Sequence, residues 1–354
     1  MNRRIEWIDV IKGIAILLVV IGHTFRDEML DASYVCDFIK TTVYSFHLPL
    51  FFSISGCLIY LSREKNIQKI TRPSFILKKI NTLIKPFITY GLLIYLIFII
   101  ANQFGPVSRI LQNSGLVICD LLEYSIMSLK GENPYAIHLW FLLALFYMQV
   151  LAFVLNRISL KFNIEFKYLF LLVAIVLWNI RIIFVGSMTR VEMSFLRYTI
   201  YFCFGMIVPK LVIKKHSLYI ILSGLAWIYN LAFLFYLTPK IDDLNFATYY
   251  ALYFIQMLSI MAIIKNIYDV GEKLVHIKLL TFLGRNSFSI YLLHQPLCAF
   301  VGIILYGKLK FNIFASCMIT GLASILFPIL FLMLIGRTKR ISWICNKVFS
   351  IKII

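Results

Sequence analysis

The chain has 354 residues, 61% of them hydrophobic and 14% charged, with a formal net charge of +19. Water-soluble domains carry nearer a quarter of charged residues, so the composition excludes that class and specifies an integral membrane protein. The basic residues fall between apolar segments and not along one face or tail, which speaks against nucleic acid as a partner and for the positive-inside rule.

Ten apolar runs of spanning length lie at about 8–26, 41–61, 80–101, 137–155, 168–185, 194–212, 218–236, 246–265, 286–305 and 313–335. They predict an all-α polytopic protein, one domain over residues 1–354, with both termini cytoplasmic. Under that topology the inner segments carry most of the 35 Lys and Arg, while Asp27, Glu28, Asp31 and Asp37 share the first outer loop. Charges interrupt the first apolar run early and no small-residue cleavage site follows it, so it reads as an uncleaved helix. The seven cysteines lack metal-ligand spacing. Only Cys36 and Cys119 fall in outer loops, which leaves a disulfide between them open.

The first run, IEWIDVIKGIAILLVVIGHTF, carries Asp9, Lys12 and His23. Eleven residues separate Lys12 from His23, about three turns plus 20°, so both lie on one face of a helix, and Asp9 falls within about 40° of His23. Ionisable groups at membrane depth either anchor a helix or line a functional cavity. In the second run, FHLPLFFSISG puts His47 before a proline and the small residues Ser53, Ser55 and Gly56, which suit close helix packing. His23 and His47 reach similar depths if these two spans pair.

The basic stretch from Ser62 to Lys85 follows on the inner side. Arg72, Lys78, Lys79 and Lys85 suit either anionic lipid or a phosphorylated ligand from the cytoplasm. The outer loop 102–136 is the longest, and its amphipathic LVICDLLEYSIM fits the interface or a lid over an outward cleft. His138 opens HLWFLLALF beside Trp140, an interfacial aromatic. Arg181 and Arg197 approach the outer side, where Glu192 or an acidic or sugar-like substrate would meet them. Asn179, Asn230 and Gln256 are polar groups able to join helices. In GRNSFSIYLLHQP, Ser287, Tyr291 and His294 share one face, and Pro296 frees a carbonyl nearby. The tail after Arg337 reads as a short basic helix on the inner leaflet. No glycosidase carboxylate pair, glycine-rich phosphate loop, HExxH or GxSxG is present, so hydrolytic and nucleotide-driven chemistries lack their usual parts.

Taken together, WIDVIKGIAILLVVIGH, FHLPLFFSISG, the basic loop leading to KPFITY, HLWFLLALF and LGRNSFSIYLLHQP resemble acyltransferase family 3, and most of all its fucose 4-O-acetylase-like branch. The resemblance covers essentially the whole chain. It implies an O-acyltransferase of the bacterial inner membrane, with an acyl-CoA donor, most often acetyl-CoA, and a carbohydrate hydroxyl of a surface polysaccharide or lipid-linked precursor as acceptor, without a metal. On that reading His23 is the general base or carries the acyl group, and Asp9 or a neighbouring group orients the polar network. Lys12 with Arg72, Lys78, Lys79 and Lys85 holds the CoA phosphates. His47, His138, Trp140, Arg181, Arg197, Tyr291 and His294 serve the acceptor side. Two departures stand out: Lys12 replaces the arginine of many members, and the basic residues before the third span are mostly lysines, which make point contacts where arginine makes a fork. The end of the chain after its tenth span implies transfer without a separate extracellular domain. A carrier or exporter of polysaccharide or lipid-linked sugar is the alternative.

Overall fold

Without water in the bilayer core, a backbone must satisfy its own N–H and C=O groups, and long apolar segments do so as helices. The computed structural model describes residues 5–113, 119–184, 186–210, 216–238 and 245–336, and among these it contains helices and no strand. In chain order they are α1 (Glu6–Thr24), α2 (Asp27–Ala32), α3 (Tyr34–Lys65), α4 (Pro73–Lys79), α5 (Lys85–Asn102), α6 (Gly105–Asn113), α7 (Leu121–Lys130), α8 (Trp140–Phe162), α9 (Phe166–Ile183), α10 (Arg190–Ile207), α11 (His216–Ala232), α12 (Phe246–Lys273), α13 (Lys278–Gly302) and α14 (Ile313–Gly336). The chain divides into two compact units, Met1–Leu61 with Tyr201–Phe331 and Ser62–Ile200 with Leu332–Ile354.

Among the described residues nine helical segments are long and apolar enough to cross a membrane. The expected tenth, α10, falls short because Arg190, Glu192 and Arg197 polarise its first half. Helix direction nevertheless counts it as a crossing. Asp9 pairs with Arg285 at the start of α1 and α13, and His23 meets His294 towards their ends, so these helices are parallel. Parallel spans enclose an odd number of crossings, and the six candidate spans between them become seven only with α10.

In the first unit, two glycine crossings set how closely helices approach. A Cβ on Gly13 would strike the Leu280 carbonyl, and one on Gly284 would strike the Asp9 carbonyl, so the two glycines face each other across α1 and α13. Gly56 and Gly205 do the same for α3 and α10 against the backbone of Phe202 and Ser53. Because lipid is as apolar as leucine, association in the membrane rests on this close van der Waals contact and on buried hydrogen bonds. Above the first crossing, Ile16, Val19, Val20, Leu283, Ile290 and Ile329 form a buried cluster. Polar links join further helices: Gln256 Nε2 donates to Asn230 Oδ1 at 2.6 Å, and Asn230 Nδ2 donates to Ser45 Oγ at 3.2 Å. These two residues act as the helix-joining groups their polarity suggested.

In the second unit, the segment before α5 departs from the expected basic loop. Pro73 at the first helical turn, with Arg72 extended before it, starts the helix early, and one π turn at Ile80–Ile84 carries it into α5. Lys78, Lys79 and Lys85 therefore sit on helical turns. Asn156 of α8 is fully buried; its Oδ1 accepts from Arg63 Nε at 2.8 Å and its Nδ2 donates to Thr71 Oγ1 at 2.9 Å. Within the outer loop, Asp120 caps α7 by accepting from the Glu123 N–H at 2.8 Å. Gly131, at φ +76°, ends α7 in the left-handed conformation that a side chain would strain. Leu122 and Leu129 of α7 are exposed. Residues 116–118 of the amphipathic stretch and the tail 337–354 lie outside the described residues. Cys36 and Cys119 are free thiols, and Cys36 is buried in the first turn of α3 and not in a loop.

Candidate active site

The glycine crossing puts chemistry at both ends of the α1/α13 pair. Lys12 directly precedes Gly13, and Arg285 directly follows Gly284, so each cation is delivered to the contact itself. Between them stands Asp9, whose side chain is only 4% exposed; its Oδ1 lies 3.8 Å from Lys12 Nζ and its Oδ2 lies 3.7 Å from Arg285 Nε. An isolated carboxylate at this depth is costly, and two flanking cations offset that cost.

About 16 Å further along α1, a rise of eleven residues from Lys12, stands His23. Its Nδ1 lies 3.1 Å from the hydroxyl of Tyr44. Its ring lies 5.1 Å from that of His294 and 5.6 Å from that of Tyr44, and Tyr44 stands edge-on to His47 at 4.9 Å. The expected approach of His23 and His47 thus runs through a tyrosine. His47 and His294 are buried, and their orientation is set locally. His47 Nδ1 donates to the Val43 carbonyl at 2.8 Å, and His294 Nδ1 donates to the Tyr291 carbonyl at 2.7 Å. A carbonyl only accepts, so Nδ1 carries the hydrogen in both, and Nε2 is the nitrogen able to take a proton.

His23 also lines a cavity of about 320 Å³ with Phe25, Arg26, Asp27, Glu28, Gln295, Cys298 and Ala299. Arg26 and Glu28 form a two-bond pair across its rim, at 3.0 and 3.1 Å. That hydrogen bond to Arg26 holds the Glu28 carboxyl below its ordinary range. Lys40 is likewise engaged by Asp27 at 3.1 Å. The Oε1 of Gln295 is buried without a hydrogen-bond partner among the described residues, an acceptor in the cavity wall.

The remaining sequence candidates are distributed differently. Asp9 lies fourteen residues from His23, about 21 Å of helix, so sharing a face does not bring them into contact; the residue at His23 is Tyr44. Ser287 donates to its own helix at the Gly284 carbonyl, and Tyr291 supplies its carbonyl to His294 while its ring packs against the α1/α13 core. Pro296 lies within α13, one residue after Gln295. In the second unit, His138 is buried, and Trp140 stacks on Tyr198 at 6.3 Å. Arg181 is buried over Trp178 and Arg197 is exposed over Tyr198. Glu192 instead accepts from the backbone and hydroxyl of Thr189. Arg72 donates to Gln68 at 2.7 Å, Lys79 lies over the Phe75 ring, Lys78 is exposed and Lys85 half-buried. No group of three or more metal-type ligands occurs among the described residues.

A model of the acyltransferase domain, family 3, matches residues 5–338. The chain belongs to acyltransferase family 3. Neither the curated proteins nor the solved structures gave a match. In this membrane acyltransferase the paired cations and histidines lie on α1 and α13, the first and the next-to-last of the apolar helices among the described residues. Sequence reasoning passed over four residues of this acyltransferase: Tyr44, Arg285, Gln295 and Arg26. One signal was available. KG in α1 and GR in α13 are mirrored dipeptides, followed eleven and nine residues later by a histidine.

Proposed function

We propose that the protein moves an acyl group, acetyl in the simplest case, from acyl-CoA to a hydroxyl of a carbohydrate at the bacterial inner membrane. The observation that carries the reading is the placement of His23, held by Tyr44 and faced by His294, at the wall of the cavity, three helical turns along α1 from Lys12 of the Lys12–Asp9–Arg285 group. A separation of about 16 Å between Lys12 and His23 is similar to the reach of a pantetheine arm. Phosphates near Lys12 then leave the thioester near His23. The basic residues Arg72, Lys78, Lys79 and Lys85, cytoplasmic in a ten-span topology with both ends inside, suit a phosphorylated ligand from that side.

In the transfer step, the acceptor hydroxyl gives its proton to His23 Nε2 as its oxygen bonds to the thioester carbon. The carbon–sulfur bond then breaks, and the departing CoA sulfur takes the proton from the imidazolium. His23 serves as base when Nδ1 carries the other hydrogen and donates it to the Tyr44 oxygen. His294 Nε2 and Gln295 Oε1 face the oxygen-rich acceptor. The cavity volume is at the lower end of small-ligand sites and suits one sugar unit of a surface polysaccharide or its lipid-linked precursor. His47, His138, Trp140, Arg181, Arg197 and Tyr291 belong to the supporting or acceptor side of this reading.

The test is ester-linked acetyl on surface polysaccharide in cells with the wild-type gene, its deletion, and His23→Ala at matched membrane abundance. Loss of acetyl in both mutants with export intact is expected. Full acetylation by His23→Ala removes His23 from the chemistry, and polymer trapped inside the deletion strain with acetylation unchanged replaces transfer by export.

A further inference from the structure

The group at the start of α1 and α13 sets two cations beside one carboxylate. Lys12 and Arg285 each approach a different oxygen of Asp9. Both separations, 3.8 and 3.7 Å, are ion-pair distances beyond hydrogen-bond length. The side chains are graded in exposure, Asp9 at 4%, Lys12 at 25% and Arg285 at 47%, so the anion is the floor and the cations face outward from it. The position of the group follows from the backbone. Gly13 and Gly284 permit the closest approach of the two helices, and the cations are their sequence neighbours, so the spacing between Lys12 and Arg285 is set by a contact that tolerates no Cβ.

We propose that Arg285 is a phosphate-binding residue, which completes with Lys12 a two-cation seat floored by Asp9. A guanidinium offers a planar fork that engages two phosphate oxygens, and an ammonium adds a point charge. A phosphate ester fits this pair, and it has two sources: the nucleotide end of CoA or the headgroup of a phospholipid. The first source rests on the donor reading given under the proposed function; the seat itself does not.

The experiment uses the full chain reconstituted in phosphatidylcholine vesicles, as wild type, Arg285→Ala and Arg285→Lys. Two quantities are read: affinity for CoA, with phosphate-free pantetheine as reference, and the rise in unfolding temperature when phosphatidylglycerol is added. Arg285→Ala is expected to weaken CoA binding about tenfold, the scale of one charge-assisted contact, with Arg285→Lys between it and wild type and pantetheine unaffected. Unchanged CoA affinity with loss of the phosphatidylglycerol effect keeps the seat and assigns it to lipid. Arg285→Ala indistinguishable from wild type in both arms overturns the proposal while CoA binding by wild type leaves the donor reading in place. Wild-type protein that binds no CoA ends the donor reading, and the lipid arm then decides the seat alone.

Discussion

The hydroxyl of Tyr44 stands 3.1 Å from Nδ1 of His23, and the ring of the same tyrosine meets His47 edge-on. The contact joins the end of α1 to α3 and governs both the orientation and the tautomer of the imidazole, because whichever group donates decides where the ring keeps its hydrogen. Tyr44→Phe retains the ring and removes this control. Steady-state kinetics with acyl-CoA should show kcat lowered by about tenfold to a hundredfold with the donor KM nearly unchanged, as a loss felt in the transition state and not in binding requires. A rise in donor KM at constant kcat would assign Tyr44 to binding.

Gly13 and Gly284 should not tolerate alanine. A methyl at either position meets the partner helix's backbone, which cannot rotate away as a side chain does. Each substitution is expected to cost about 1–3 kcal/mol, the usual range for overpacking, read as a lower unfolding temperature in detergent. Gly224→Ala is the control, since nothing lies within 4 Å of its added methyl and alanine favours helix.

Asn156 links two segments of the second unit, accepting from Arg63 and donating to Thr71. Asn156→Ala leaves the half-buried Arg63 and Thr71 hydroxyl without this partner. Thermal unfolding should show a loss of about 2–3 kcal/mol.

Glu28 gives a pH-dependent expectation. Its carboxyl titrates below 4.5 in the folded protein because Arg26 holds its charged form, so the pair contributes above the unfolded value and is lost as pH falls through the folded one. The difference in unfolding temperature between wild type and Glu28→Gln should be present at pH 7 and vanish as pH falls well below 4.5. It should be small and weaken in salt, since the Glu28 side chain is 62% exposed. A difference that persists at low pH would mean the glutamine acts through the fold of α2 and not through charge.

The amino-acid sequence by itself determined the class of the protein, because apolar length and helix period are local properties that a bilayer reads directly. Its fifth through twenty-fifth residues already showed that Lys12 and His23 share a face, and the stretches FHLPLFFSISG and GRNSFSIYLLHQP marked the two other histidines of the cluster. Sequence could also place α10 as a crossing, which its own hydropathy contests and the parallel run of α1 and α13 restores. Only tertiary structure decided which helices meet. The pairing of α1 with α13 depends on a backbone contact between glycines some 270 residues apart, which no periodicity encodes. That pairing gives Asp9 a second cation in Arg285 and brings His294 to His23. A helical face and the helix rise fix direction about an axis and distance along it but say nothing of the neighbour across it, so Tyr44 and Arg285 became legible once the helices were packed.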